Sequence, residues 1–443
     1  MNTTTIKALS EKLDTTVPKL RELDAYWSGQ QPAAFLSNES REALGDRLRR
    51  VSVNFPRLAV TALAERLDLT GFRTGGVDAE PDADLWNVWR RCGMEEASAQ
   101  AHVDALAYGR SFVIVWADSA GAPVVTVESP LQVAVTRDPA SREVTAALKR
   151  WIDGSTARAV LYERDAITVL VHPGTIVDAA AMPSTGWTVT ETIPNPLGVV
   201  PVVPVVNRGR LLDVDGVSEM ADILDLADAL NKINSDMLVT SEFYARPRRW
   251  ATGLEVVEDE QGNPIKPFSA ALDDVWQSEA ADTKFGQFDA ARLDGYADAA
   301  ALITQQIGAL TGLPPHYLGL HGDQPASADA IRSAEASLVA RAYALHRTFG
   351  TAWASVARLM LAVRDGVDPR TLDVEPMWAN PETRTPAQAA DAAAKLVGVG
   401  VPLSVVLADT LGMSPEQVER VRAARRGDAL DSAGVDLTKL VAS

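Results

Sequence analysis

Along residues 217–253, VSEMADILDLADALNKINSDMLVTSEFYARPRRWATG, apolar positions recur at spacings of three and four. Met220, Ile223, Ala227, Leu230, Asn234, Met237, Ser241 and Tyr244 fall on one stripe, which predicts a long helix with a thin, coiled-coil-like seam interrupted by Asn234 and Ser241. Ser218 is a good N-cap, and Glu219 and Asp222 put negative charge in the first turn. Pro247 ends the helix at Ala245 or Arg246. About 27 residues at roughly 1.5 Å each give a rod of roughly 40 Å. Asp222, Asp225, Asp228, Lys232, Asp236 and Glu242 keep its flanks charged. A helix this long and this narrowly apolar packs along its length against a neighbour, although periodicity alone also admits an ordinary helix over a sheet.

The rest of the chain divides by period. Residues 3–28 read as one or two polar helices, with Pro18 a break or a first-turn residue, and 40–70 and 82–108 read as helical. From Ser111 the period changes to two. Residues 111–118, 122–129, 131–138, 143–151, 157–164 and 166–173 are six short strands separated by Gly, Pro and Asp, expected to form one antiparallel sheet packed by the flanking helices, an α+β arrangement. Residues 195–210 are extended, and Gly262-Asn263-Pro264 marks a hairpin tip in a stretch poor in helix signals. A helix over 290–311 carries Leu293, Ala297, Ala300, Ile303, Ile307 and Leu310 as its stripe and stops at Gly312. A Gly- and Pro-rich loop leads to a second very long helix from Ser327, with Ile331, Leu338, Ala342, Leu345, Phe349, Trp353, Val356, Met360 and Val363 on its seam and a kink expected at Gly350. Thr385-Pro386-Ala387-Gln388 and Ser414-Pro415-Glu416-Gln417 are capping boxes that open two terminal helices.

The run LNKINSDMLVTSEFYARPRRW closely resembles the stem helix of portal proteins of tailed bacteriophages, in the branch common among phages of actinobacteria. Tyr26 and Gly29 match the family's Tyr-x-x-Gly segment, and ALAYGRSFVIVWAD followed by SPLQVAVTRDP matches its wing. The resemblance spans roughly residues 20–425 and lies in the order of segments, no single motif being diagnostic.

Composition agrees with a structural part. At 443 residues the chain should split into two to four compact units, and 47% hydrophobic with 23% charged residues marks a globular protein. Cys92 is the one cysteine, which excludes an internal disulfide and suits assembly in a reducing cytoplasm. The first residues have no apolar core of a secretory signal, and the longest apolar run, 197–206, is broken by Pro201 and Pro204 and too short for a bilayer. A net charge of −17 argues against a broad grip on nucleic acid but not against a surface that lets it slide past. No phosphate-binding Gly-x-x-x-x-Gly-Lys-Ser/Thr, no Gly-x-Ser-x-Gly and no His-Glu-x-x-His occurs, so neither catalytic nor cofactor residues are assigned. His316, His321 and Asp323 are close in sequence, yet two His and one carboxylate on a loop make a weak ligand set and read better as exposed loop residues. Trp27, Trp86, Trp89 and Trp353 read as core or interface residues.

The resemblance implies a portal fold with wing, long-helix stem, small clip and helical crown. The wing would take 1–216, the stem helix 217–245, the clip 246–289, the second stem helix 290–311, the tunnel loop 312–326, the kinked wing helix and its following segment 327–380, and the crown with the C-terminal tail 381–443. Stem packing falls to Met220, Ile223, Ala227, Leu230, Asn234 and Met237, and the tunnel loop to Gly319, Leu320, His321, Gly322, Asp323 and Gln324. Arg246, Arg248 and Arg249 are placed to touch DNA or the adaptor, or simply to complement a helix C-terminus. The implied function is a ring, a dodecamer in the family, at one capsid vertex of the virion. The implied partners are further copies of itself, double-stranded DNA in transit, terminase, the head–tail adaptor, and the major capsid and scaffold proteins, with no membrane. The competing readings are another phage head protein, scaffold or adaptor, and an enzyme without a recognisable motif. A single copy cannot cover both long stripes, which favours the ring.

Overall fold

The computed structural model describes residues 3–32, 52–75, 80–175, 182–208, 210–244, 249–253, 282–287, 292–320, 327–382, 386–413 and 415–432. The chain divides into two compact units, one made of Met1–Gln31, Asn54–Leu224 and Ile307–Ser443, the other of Pro32–Val53 and Asp225–Gln306.

The first unit opens with α1 (Thr3–Trp27), one continuous helix that contains Pro18. Then come α2 (Phe55–Ala64), β1 (Leu69–Thr74), α3 (Ala83–Arg91) and α4 (Met94–Tyr108). Of the stretch expected to be helical over 40–70, Phe55–Ala64 is helix, Leu69 and Thr70 belong to β1, and 40–51 lies outside the described residues. Asp82 caps α3 by accepting from Leu85 N, and Gly93 at φ +68° separates α3 from α4.

All six expected strands form: β2 (Arg110–Ala117), β3 (Pro123–Glu128), β4 (Val133–Arg137), β5 (Val144–Asp153), β6 (Thr156–Glu163) and β7 (Ala166–Thr175). They do not form one sheet. β8 (Thr188–Pro194) extends a five-stranded sheet of order β4-β5-β6-β7-β8, whereas β9 (Val202–Val206) completes a three-stranded sheet of order β3-β2-β9; every pairing is antiparallel. The split follows from β2, which is buried along most of its length and needs partners on both sides; the distant β9 supplies one, with Phe112 opposite Pro204. β9 is an edge strand, the position where a proline's missing N–H costs no ladder bond.

Alternation along β6 puts Ala157, Ala159 and Leu161 on one face of the five-stranded sheet, packed with Ile6, Leu9 and Leu13 of α1. Val160 and Tyr162 face the other way, against Phe112 and Ile114 of β2 and Val202 of β9. After β9, Asn207 strings the chain along the α4–β2 corner: its N–H donates to Gly109 O at 2.8 Å, and Val217 N donates back to Asn207 O at 2.9 Å. Gly216 sits at φ +82° where a Cβ would lie 1.9 Å from Gly109 O, so only glycine fits that crossing.

The chain then passes through α5 (Leu224–Tyr244), β10 (Arg249–Thr252), β11 (Lys284–Gln287), α6 (Asp294–Thr311) and α7 (Ala328–Asp365). In α7, 38 residues long, Leu338, Ala342, Phe349, Trp353, Val356 and Met360 are fully buried, as their seam predicts. The helix runs on through Gly350. The missing side chain there makes room for β12 (Val374–Trp378), since a Cβ would meet Pro376 Cγ at 3.3 Å and Trp378 Nε1 at 3.5 Å. β12 pairs with β1, a strand contact that no local pattern announces. Phe72, Trp86, Trp89, His102, Phe349 and Trp353 gather into an aromatic core between these elements. Trp27 instead stacks under Arg57, 5.2 Å from the ring centre. Terminal helices α8 (Pro386–Gly398) and α9 (Pro415–Ser432) start at the prolines of the two capping boxes, whose Thr385 and Ser414 lie outside the described residues.

Candidate assembly and channel elements

The long helix does not begin directly after Ser218. Glu219 N donates to Leu106 O, and Asn207 Nδ2 bonds both Val217 O and Glu219 Oε1, so the segment is held against α4 before it can coil. Ser218 Oγ instead accepts from Met220 N at 3.1 Å, a 3-10 turn follows at Ala221–Ile223, and α5 starts at Leu224. Of the stripe, Met220, Ile223 and Ala227 are fully buried and Leu230 is 2% exposed within a single copy. The pattern changes at Asn231. From there to Ser241 no residue is buried; Asn234 and Met237 are half-buried and Leu238 is 50% exposed.

The second unit has polar ties of its own. Asn231 Oδ1 accepts from Val53 N at 2.8 Å, Thr240 Oγ1 and Tyr296 OH lie 3.1 Å apart between α5 and α6, and Lys232 pairs with Asp236 one turn on. In α6 the expected stripe is only partly right. Ile307 is fully buried, but Leu310 is 56% exposed and Ala297 is exposed, because the buried face of the last turns runs through Thr304, Ile307, Gly308 and Thr311. Leu302, outside the expected stripe, is 57% exposed.

The loop after α6 is anchored at its root. Gly312 and Gly319 adopt φ +67° and +70° on either side of a 3-10 turn, Pro315–Leu318, and Leu320 N closes back onto Pro315 O at 3.0 Å. His321, Gly322, Asp323 and Gln324 lie outside the described residues. Ser327 caps α7 by accepting from Ala330 N at 3.2 Å. Behind the loop, Glu335 is buried with Arg66 Nη2 at 3.4 Å and His316 Nε2 at 3.5 Å. Arg66 also donates to Pro381 O at 2.6 Å and to Tyr317 OH at 3.4 Å. Arg341 of α7 bonds both Glu219 and the Thr311 carbonyl, joining the lead-in of one long helix to the end of another. His316 is exposed, as expected, and would form an ion pair with Glu335 only with its ring protonated. Nothing in the sequence singles out Glu335, Arg66 or Arg341, each an ordinary charge on an amphipathic stretch. Among the described residues no group of three or more His, Cys, Asp or Glu could hold a metal, and no helix is long and apolar enough to cross a membrane.

Of the arginine cluster, Arg246 and Arg248 lie outside the described residues, as does the expected hairpin tip at 262–264. Arg249 opens β10 opposite Gln287, and the Trp250 ring covers Gly286 of β11, where a Cβ would come within 2.4 Å of it.

The family model described as phage portal protein, SPP1 Gp6-like, matches residues 6–428. The chain belongs to the phage portal protein family. The portal protein of Mycobacterium phage L5 is 33% identical over 401 residues, covering 84% of this chain and 78% of the relative. That of Mycobacterium phage D29 is 34% identical over 376 residues, covering 79% and 73%. Among solved structures, a chain in the neck of an empty gene transfer agent particle, computed with C6 symmetry, aligns at a TM-score of 0.49 and 13% identity, covering 83% of this chain and 90% of that one.

A portal is a structural part of the virion: a ring at one capsid vertex that serves as the channel for DNA and as the platform for the packaging motor and the head–tail adaptor. The arrangement of this portal chain suits such a part. Two long helices make up much of the second unit, apolar residues on both stay exposed in a single copy, and a buried Arg66–Glu335 pair lies at the root of the loop that follows them.

Proposed function

We propose that copies of this chain close into a ring of about twelve, with residues 217–311 as stem and clip and 312–326 as the loop facing the channel. Membership in the portal family over residues 6–428 carries this reading. It is supported by α5, whose first turns a single copy buries while no residue from Asn231 to Ser241 is fully covered. Asn234 and Met237 would then pack at the ring interface, and Met220, Ile223, Ala227 and Leu230 would fix the helix to its own copy. DNA would cross the channel with little adhesion: about twelve copies at −17 each carry roughly two hundred excess negative charges, which repel phosphate. Terminase and the adaptor would dock in turn on the clip side, with Arg246, Arg248 and Arg249 at that end of the stem, and capsid and scaffold proteins would surround the wing. No catalytic step is assigned to any residue.

Negative-stain imaging of the purified full chain, together with its solution mass, tests the reading. Rings with a central channel and a mass several-fold above 47.4 kDa are expected. A protein that stays monomeric at every concentration and salt would sink it.

A further inference from the structure

The wing holds a cleft that runs against the charge of the whole molecule. It lies between the β4–β5 hairpin, β9 and α7, has a volume of about 1000 Å³, and among the described residues is lined by Arg137, Arg142, Arg164, Arg208, Arg358 and Arg370 against two carboxylates, Asp138 and Glu143. Arg370 is neutralised by Asp368 in a two-pronged pair, Nη2 to Oδ2 at 2.8 Å. Among the described residues no ion pair neutralises Arg137, Arg208 or Arg358. Each is half-buried, and the Nε of each is buried without a hydrogen-bond partner. Asp215, the acid that acts on Arg137, is itself engaged by Lys12 Nζ at 3.1 Å. Burial first, then the neighbouring Arg208, pulls the Arg137 guanidinium below its usual range.

Buried guanidinium N–H groups without acceptors are costly, and like charges held together add to the cost. An anion between them would offset that cost, and the planar forks of Arg suit carboxylates and phosphates alike. The rest of the lining chooses between the two. Val144, Val200, Val202, Leu359 and Pro369 make apolar walls, which give nothing to a sugar–phosphate backbone but accept apolar side chains beside a carboxylate. Asp138 is half-buried at the rim, and the backbone N–H groups of Ser141 and Ala140 hold its carboxyl below the usual range, so it discriminates against neither anion and the apolar walls decide. The most abundant source of acidic segments next to any copy in a ring is another copy of the same chain, with 59 Asp and Glu against 42 Lys and Arg.

We propose that this cleft receives an acidic, apolar-flanked segment of the neighbouring copy, whose carboxylates bond Arg137, Arg208 and Arg358. The inference rests on the ring reading and adds to it a second, charge-specific contact in the wing, independent of the stem. The contact is heterologous, acid on one copy and arginine on the next, the kind that propagates around a closed ring.

The test uses the full-length chain. Arg208→Gln removes one repelling charge from a site that a lone copy leaves unpaired. The isolated subunit should therefore melt no lower than the parent, while the concentration needed for half-assembly into rings rises at least tenfold; Arg208→Lys should recover part of the loss. A merely structural arginine would lower melting and leave assembly alone. In parallel, Thr351→p-benzoylphenylalanine places a photo-crosslinker on the exposed lining of α7. Irradiated rings should yield adducts between position 351 of one copy and an acidic peptide of another. Unchanged assembly of the Gln variant overturns the proposal, as do adducts confined to nucleic acid, adducts to a different head protein, or no intermolecular adduct in intact rings. Failure of the parent chain to form rings would instead refute the ring reading, and with it this one.

Discussion

His102 shows how one residue's surroundings set a property that the type alone does not. It is fully buried, Trp353 Nε1 donates to its Nε2 at 2.8 Å, and its ring stacks on Phe349. Burial pulls its pKa from the ordinary 6.5 down to about 3, so the folded chain holds it neutral. The unfolded chain takes up a proton near the ordinary value. The stability that neutral His102 contributes is therefore complete above about pH 6.5 and is lost as pH falls toward 3, at about 1.4 kcal/mol per pH unit. Burial lowers His346, stacked on Trp378, in the same direction, so the two act together. His102→Gln, which keeps an acceptor for the indole, should flatten the decline in stability between pH 6.5 and 4 without abolishing it. Urea unfolding of parent and variant at several pH values measures this; parallel curves would show that His102 does not carry the titration.

At the scale of elements, α5 separates two roles along one stripe. Leu230 belongs to the half that a single copy buries, so Leu230→Asp places a charge in a dry site and should destabilise the subunit itself by several kcal/mol. Leu238, half-exposed on the open half, should behave differently: Leu238→Asp leaves the subunit's melting within about 0.5 kcal/mol of the parent yet weakens ring formation. Thermal melts and sedimentation of the two variants distinguish the roles. If Leu238→Asp assembles as well as the parent, this face of the helix is not part of the interface.

For the whole molecule, the proposed ring would turn the loop between α6 and α7 toward its channel, where it would act on DNA without holding it. Its root is fixed by the Pro315–Leu318 turn and the Arg66–Glu335–His316 cluster, which keeps changes in the loop from reaching the fold. The residues beyond the root include a single carboxylate, Asp323, and one imidazole, His321, and no Lys or Arg. Transient contact with a passing duplex is expected, not a clamp. Shortening 321–324 to two glycines should leave rings intact and lower the DNA packaged or retained per head. Heads with normal content and retention would reduce the loop to a connection.

Much of this was legible in the residues. Period-two runs located six strands, the prolines of two capping boxes located the starts of α8 and α9, Ser327 located the start of α7, and the order of segments pointed to the portal family before any coordinates. These signals are local, set by side-chain spacing and by what Pro, Gly and Ser do to their own backbone. What stayed hidden depends on residues far apart in the chain. The division of the strands into two sheets was decided by β9 reaching β2, and the β1 strand by its pairing with β12 some three hundred residues on. The delayed start of α5 came from Asn207 and Leu106 competing for the backbone of residues 217–219. The burial of Glu335 and the gathering of six arginines around one cleft likewise arise only when separate elements pack, because a charge on a helix face looks the same in sequence whether water or another element will cover it.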